Sequence, residues 1–223
     1  MVLYYITDRH GFTGAPEEQR RALLSRVAEA AQAGVDYIQV REKDLTTHEL
    51  ELLAREAVAA VRAITSHTRV LVNGRADVAI ACGADGVHLP GGSLPASEVR
   101  TLWMRVADRA PIIGVSAHSV EDVRYAEAHG ADFAVLAPIF EKPGTDLPAL
   151  GVTALTACSR REQAPDNTES PPKIFFPVLA LGGVNLTNAA SCIRAGASGL
   201  AGIRLFQEGD LRATVSALRR ISS

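Results

Sequence analysis

Short apolar runs alternate along the chain with longer, Ala-rich stretches whose apolar positions recur every three to four residues. The runs predict strands at Leu3–Thr7, Tyr37–Arg41, Val70–Asn73, Gly86–Leu89, Ile112–Ser116, Phe133–Ala137, Val178–Leu181 and Leu200–Arg204. The periodic stretches predict helices between them, among others Glu17–Ala33, Thr47–Ile64, Ala96–Ala107 and Val120–His129. The seams repeat: Gly34-Val35-Asp36, Gly83-Ala84-Asp85, Gly130-Ala131-Asp132 and Gly196-Ala197-Ser198 each close a helical pattern and lead into an apolar run. Glycine fits the left-handed residue that ends a helix, and Asp or Ser fits the short turn into a strand. The first three glycines stand 49 and 47 residues apart, and the last follows after 66. At roughly 25 residues per strand–helix unit, the first two steps hold two units each and the third carries an insertion. The polar, aperiodic segment Ser159–Lys173 supplies it, as a mobile surface loop with solvated charges.

Eight strand–helix units admit a closed barrel or a doubly wound open sheet. Eight regular units in 223 residues favour the TIM (β/α)8 barrel, as one domain over 1–223 with a surface insertion at 159–173. The chain is 47% hydrophobic and 22% charged but only 5% aromatic, so burial is expected to rest on Ala, Val, Leu and Ile. A net charge of −2 excludes a strongly basic nucleic-acid footprint. No apolar stretch reaches the roughly 18–20 residues of a membrane span. The start, Met-Val-Leu-Tyr-Tyr-Ile-Thr-Asp, has no charged leader or small-residue cleavage site, and three cysteines form no C-x-x-C pair. These features predict a cytoplasmic protein with reduced thiols and neither a nucleic-acid nor a membrane partner.

A barrel of this kind places its site at the C-terminal ends of the strands. The second strand runs into Gln39-Val40-Arg41-Glu42-Lys43, and alternation turns Gln39, Arg41 and Lys43 toward the mouth. Two cations there are either paired by Glu42 or Asp44, or wait for an anion such as phosphate or carboxylate. Asn73 shares the inward face of Leu71, and the fifth strand directs Ser116 and His118 inward. His118 alone among six histidines combines a strand end with inward parity, and imidazole suits proton transfer near neutral pH. His88, inside the fourth strand, reads as a hydrogen-bonded core histidine. After strands seven and eight stand Gly182-Gly183 and Gly202-Ile203-Arg204, where such barrels hold phosphate on backbone N–H groups. The alternative for the glycine pair is a tight turn alone.

Six segments carry a further signal: Tyr5-Ile6-Thr7-Asp8, Ile38–Lys43, Val72-Asn73, Gly86-Val87-His88-Leu89-Pro90, Gly114–Ser119 and Pro177–Val184. Together, and nearly end to end, they resemble the thiamine phosphate synthase / TenI-like thiazole tautomerase family. The resemblance implies a TIM barrel of the thiamine pathway. Its synthase branch joins a pyrimidine pyrophosphate to a thiazole phosphate and releases pyrophosphate. By resemblance Gln39, Arg41, Lys43 and Asn73 contact the pyrimidine pyrophosphate.

The chain departs from the synthase pattern at two positions where the family binds Mg2+ through aspartates, which here are Gly74 and Ser93. Neither supplies the carboxylate that Mg2+ favours. The pattern looks like the tautomerase branch, in which a histidine matched by His118 is implicated in proton transfer on a thiazole carboxylate phosphate. Many synthases carry a histidine there as well, so His118 alone does not separate the branches. The stretch Glu141-Lys142-Pro143-Gly144-Thr145 is loosely similar to the family's phosphate loop, and Arg204 replaces the usual Ser, to meet a phosphate or turn to solvent.

The expectation is therefore a metal-independent thiazole tautomerase that aromatises 2-carboxy-4-methylthiazole ethyl phosphate and needs no cofactor. His118 is its acid/base, with Arg41 or Lys43 on the carboxylate. Gly182, Gly183, Ile203 and Arg204 hold the phosphate, and Gln39, Asn73 and Ser116 complete the substrate site. The alternatives are a Mg2+-dependent thiamine phosphate synthase and a non-catalytic binder of a thiazole or thiamine phosphate. The partner is a phosphorylated thiazole, and homo-oligomer formation stays open.

Overall fold

The structure, a computed structural model, describes residues 1–141, 148–159 and 176–221. Its strands are β1 (Val2–Ile6), β2 (Tyr37–Val40), β3 (Arg69–Asn73), β4 (Gly86–Leu89), β5 (Ile112–Ala117), β6 (Phe133–Leu136), β7 (Val178–Ala180) and β8 (Gly199–Gly202). Each pairs in parallel with the next, and β8 returns to β1, closing the barrel. The helices around it are α1 (Pro16–Ala33), α2 (Thr47–Arg62), α3 (Ala76–Ala81), α4 (Ala96–Trp103), α5 (Val120–Ala128), α6 (Gly151–Ser159), α7 (Ala189–Arg194), α8 (Arg204–Gln207) and α9 (Leu211–Ile221). This is the expected TIM barrel, with two helices rather than one after β8. Strand β8 stops at Gly202 because Ile203, at φ −93° and ψ −76°, already turns into α8, so Arg204 opens a helix instead of ending a strand. Of the expected insertion, Ser159 closes α6 and 160–173 lie outside the described residues, as do 142–145 of the loop after β6.

The repeated seam is a fastening device at the N-terminal end of the barrel. Gly34, Gly83, Gly130 and Gly196 all hold left-handed φ values, from 73° to 99°. Two residues on, each Asp grips the neighbouring strand by both of its polar groups. Asp36 donates its N–H to Leu3 O (3.1 Å) and accepts the Leu3 N–H on its carboxylate (2.7 Å). Asp85 does the same with Val70 (2.7 and 2.8 Å), and Asp132 with Ile113 (2.8 and 2.6 Å). Arginines balance the three carboxylates: Arg219 on Asp36, Arg62 on Asp85 and Arg100 on Asp132. Where the fourth repeat has Ser198, the N–H bond to Val178 O remains (2.8 Å).

Asp85 is the most buried of these acids and also meets Arg69 and Arg109. Burial pushes its pKa up, but the Arg62 guanidinium, the Val70 N–H and Arg109 outweigh that and hold it below the ordinary aspartate range. Asp85→Ala should therefore cost roughly 2–4 kcal/mol in urea unfolding at neutral pH. A depressed carboxylate stabilises above its unfolded-state pKa and loses that contribution as pH falls through the folded-state value. The gap between variant and wild type should thus shrink below about pH 4.

Two apolar layers fill the molecule. Between barrel and helices, Ala, Val, Leu and Ile dominate, as the composition led one to expect. The bore is different: Tyr37 stacks on Phe133 at 5.3 Å, and Tyr4 meets both rings edge-on at 5.8 and 5.5 Å. Gly114 makes room for them, since a Cβ there would lie 2.4 Å from Phe133 Cζ. These three rings supply volume where a closed barrel needs it.

Candidate functional site

Above the aromatic layer a chain of polar side chains crosses the bore. Gln39 Nε2 donates to the Tyr4 hydroxyl (2.9 Å), which lies 3.2 Å from His88 Nδ1. His88 Nε2 lies 2.9 Å from Ser116 Oγ. Gln39, Tyr4 and His88 are buried and Ser116 is half-buried at the mouth. Burial, with a smaller contribution from Arg41, pushes the His88 pKa down to about 3, so its imidazole is neutral. Gln39 faces inward as alternation requires, but its amide nitrogen is committed to Tyr4. Asn73 stands opposite His88 in register and is half-buried.

The charges at the end of β2 are sorted by parity. Glu42 turns toward β1, where it accepts from the Thr7 hydroxyl (2.7 Å), the Arg9 N–H (3.1 Å) and the Arg9 guanidinium (3.2 Å). Asp44 takes both ends of the same guanidinium and lies 3.2 Å from His10 Nε2. Arg9 holds the Asp44 carboxyl below the ordinary range, and Asp44 raises Arg9 in turn. The alternative in which Glu42 or Asp44 neutralises Arg41 and Lys43 is thereby overturned. Arg9 occupies both acids, and among the described residues neither Arg41 nor Lys43 has a carboxylate partner. Arg41 is half-buried, and its charge is felt at His88. Lys43 lies past the strand in an exposed turn, where alternation no longer directs it.

His118 also lies one residue beyond its strand and is exposed. Its ring is nevertheless held: Nδ1 lies 2.9 Å from Ala137 O, so Nδ1 carries the proton and donates, which leaves Nε2 bare in the neutral ring. The His118 N–H donates to Asp122 (2.8 Å) in the first turn of α5, which Ser119 caps.

The glycine pair is more than a tight turn. Gly182 and Gly183 hold φ of 93° and 65°, and a Cβ on either would lie 2.7 Å from Pro138 or Phe140. The segment after β6 lies directly on them, with Phe140 N–H donating to Gly182 O (3.0 Å). Their close approach is to the protein's own chain. The N–H groups of Gly183, Ile203, Arg204 and Leu205 have no acceptor among the described residues. Ile203 packs on the bore and Arg204 is exposed.

Gln207, unnoticed in the sequence, fixes α8 against the first loop. Its Oε1 accepts from the Tyr5 hydroxyl (3.0 Å) and Asp8 N–H (3.3 Å), and its Nε2 donates to Asp8 O (2.6 Å). A lone Gln offers no local signal for a bond 199 residues away. Tyr4 was more accessible, because it shares the inward parity of Ile6.

The donor set of the described residues does not fit a resident Mg2+. Among the described residues no three His, Cys, Asp or Glu side chains converge. Gly74 has no side chain, Ser93 offers only an exposed hydroxyl, and nearby Asp77 is held by Arg75 at 2.6 Å. Among the described residues no helix is long and apolar enough to cross a membrane, and all three cysteines are free thiols.

A family model described as thiamine monophosphate synthase matches residues 3–206. A putative thiamine-phosphate synthase 2 of Aquifex aeolicus is 38% identical over 209 residues, 92% of this chain and 97% of that protein. A putative thiamine-phosphate synthase of Geobacter sulfurreducens is 37% identical over 203 residues, 89% of this chain and 83% of that protein. Among solved structures, a thiamine phosphate pyrophosphorylase from Pyrococcus furiosus superposes with a TM-score of 0.77 at 28% identity, covering 99% of this chain and 94% of the other.

Proposed function

The chain belongs to the thiamine monophosphate synthase family, and from that premise we propose that it is a thiamine-phosphate synthase working on two phosphorylated small molecules at the barrel mouth. The observation that carries this reading is the sorting of charge after β2. Arg9 consumes Glu42 and Asp44, so Arg41 and Lys43 stay available to an anion. A half-buried cation without a partner is costly, and a pyrophosphate offsets that cost. In the reaction, the thiazole nitrogen attacks the methylene carbon of the pyrimidine substrate. The carbon–oxygen bond breaks, and pyrophosphate leaves with the electron pair. Arg41 and Lys43 meet the growing negative charge, and Asn73 and Ser116 supply hydrogen bonds beside them. The N–H groups of Gly183, Ile203 and Arg204 receive the thiazole phosphate.

A second reading, the metal-independent thiazole tautomerase expected from the sequence, ranks behind because the relatives above are named synthases. It keeps a place because Gly74 and Ser93 bring no carboxylate and because the bare Nε2 of His118 suits proton transfer. In that reaction one proton leaves the ring carbon and another joins the exocyclic carbon.

Incubation with both substrate sets, each with Mg2+ and with chelator, followed by mass and absorbance analysis, tests the two. Thiamine phosphate and pyrophosphate should appear from the two half-molecules. Aromatic thiazole alone would establish the second reading instead. Ligand binding with no turnover of either set would make the protein a binder.

A further inference from the structure

We propose that Gln39 and His88 are positioning residues that hold Ser116 as a hydrogen-bond donor toward the barrel mouth. The direction of the buried chain follows from what each atom can do. The amide nitrogen of Gln39 can only donate, so the Tyr4 oxygen is the acceptor of that bond. The phenol has one proton of its own, and burial raises its pKa, so it stays protonated. His88 Nδ1, at 3.2 Å, is where that proton points. A neutral imidazole that accepts at Nδ1 carries its proton on Nε2 and donates it to Ser116 Oγ at 2.9 Å. Ser116 Oγ is then an acceptor toward the core, and its own proton is free for the mouth.

His88 cannot upset this by taking a second proton, because burial keeps its pKa near 3 and, among the described residues, no carboxylate is in contact with the ring. The donor direction therefore holds across the pH range in which enzymes work. The ligand atom best matched to that proton is an acceptor, such as a phosphate, pyrophosphate or carboxylate oxygen. That last step rests on the anion reading of the mouth given above, whereas the direction of the chain does not. Gln39 thus acts through Tyr4 and His88, although the family resemblance alone points to it as a ligand contact.

Nitrogen NMR of the full chain, labelled at histidine, reads the chain directly, with His88→Gln used to assign the signal. At about pH 5 and again at about pH 8, Nδ1 of His88 should be unprotonated and Nε2 protonated. A proton on Nδ1, or titration between those two conditions, would overturn the inference. Gln39→Met removes the donor that sets the direction, and the His88 proton should then be shared between both nitrogens. Where that variant does not fold, Tyr4→Phe serves the same purpose.

A double-mutant cycle with inorganic pyrophosphate, followed by calorimetry, tests the consequence at the mouth. Gln39→Met and Ser116→Ala should each weaken binding by about 5- to 10-fold, and the double variant should be no weaker than Ser116→Ala. Fully additive losses would mean that Gln39 does not act through Ser116, and the proposal would fail. If the wild-type protein binds no pyrophosphate, the anion reading of the site fails, and the tautomer of His88 alone decides this inference.

Discussion

Arg41→Met should lower kcat/KM for thiamine phosphate formation by roughly 10²–10³-fold, the usual worth of one preorganised group aimed at developing charge. The guanidinium is half-buried and without a carboxylate partner among the described residues, and its field reaches His88. Methionine keeps an apolar stem of similar reach, so packing around β2 is preserved while the charge goes. Thermal stability should therefore hold or rise, because an uncompensated, partly desolvated cation has been removed. That divergence separates a ligand-binding role from a structural one: a residue that served the fold would lose stability along with activity. Lys43→Met should have a smaller effect, since Lys43 is exposed and water and salt screen it. Unchanged kcat/KM in Arg41→Met would remove the main support for the synthase reading. A matching loss of stability would place Arg41 in the scaffold.

The sorting that leaves Arg41 available was out of reach of the sequence for a definite reason. Alternation turned Gln39, Arg41 and Lys43 to the mouth, and Gln39 does reach Tyr4 in the bore. The partner of Glu42, however, comes from Arg9 on the β1 loop, 33 residues away, and local spacing cannot rank Arg9 against Arg41. Strand positions were legible to within one or two residues because apolar runs and Gly-x-Asp seams are local signals. The seam's meaning was not, since its carboxylates act across the sheet on the neighbouring strand.

Composition misled in one respect. A low aromatic fraction, averaged over the chain, says nothing of where Tyr4, Tyr37 and Phe133 gather, and their gathering is what builds a floor under the polar chain. Parity also loses authority at a strand's end. His118 and Lys43 both lie in the segment after a strand, where turn geometry and backbone acceptors such as Ala137 O decide direction. The glycine pair was found in the right place, but the contact that demands it is with Pro138 and Phe140.

His118→Asn separates the two chemistries, because only one of them needs a proton moved. If the protein aromatises a thiazole carboxylate phosphate, the variant should slow that turnover by roughly 10²–10⁴-fold, the usual contribution of a positioned acid/base. Asparagine can still donate an N–H toward Ala137 O, so the start of α5 and its Ser119 cap should be retained, and ligand affinity should change little. Synthase turnover should be affected far less, since departure of pyrophosphate leans on cations and hydrogen-bond donors. The comparison is made on one preparation of the variant, with thiamine phosphate and aromatic thiazole each quantified against wild type. A large loss confined to the thiazole product would make His118 the proton-transfer group and restore the tautomerase to first place. Equal and large losses in both assays would mean that the imidazole holds a substrate common to the two reactions, at the position its bare Nε2 faces, and that proton transfer is done elsewhere in the mouth.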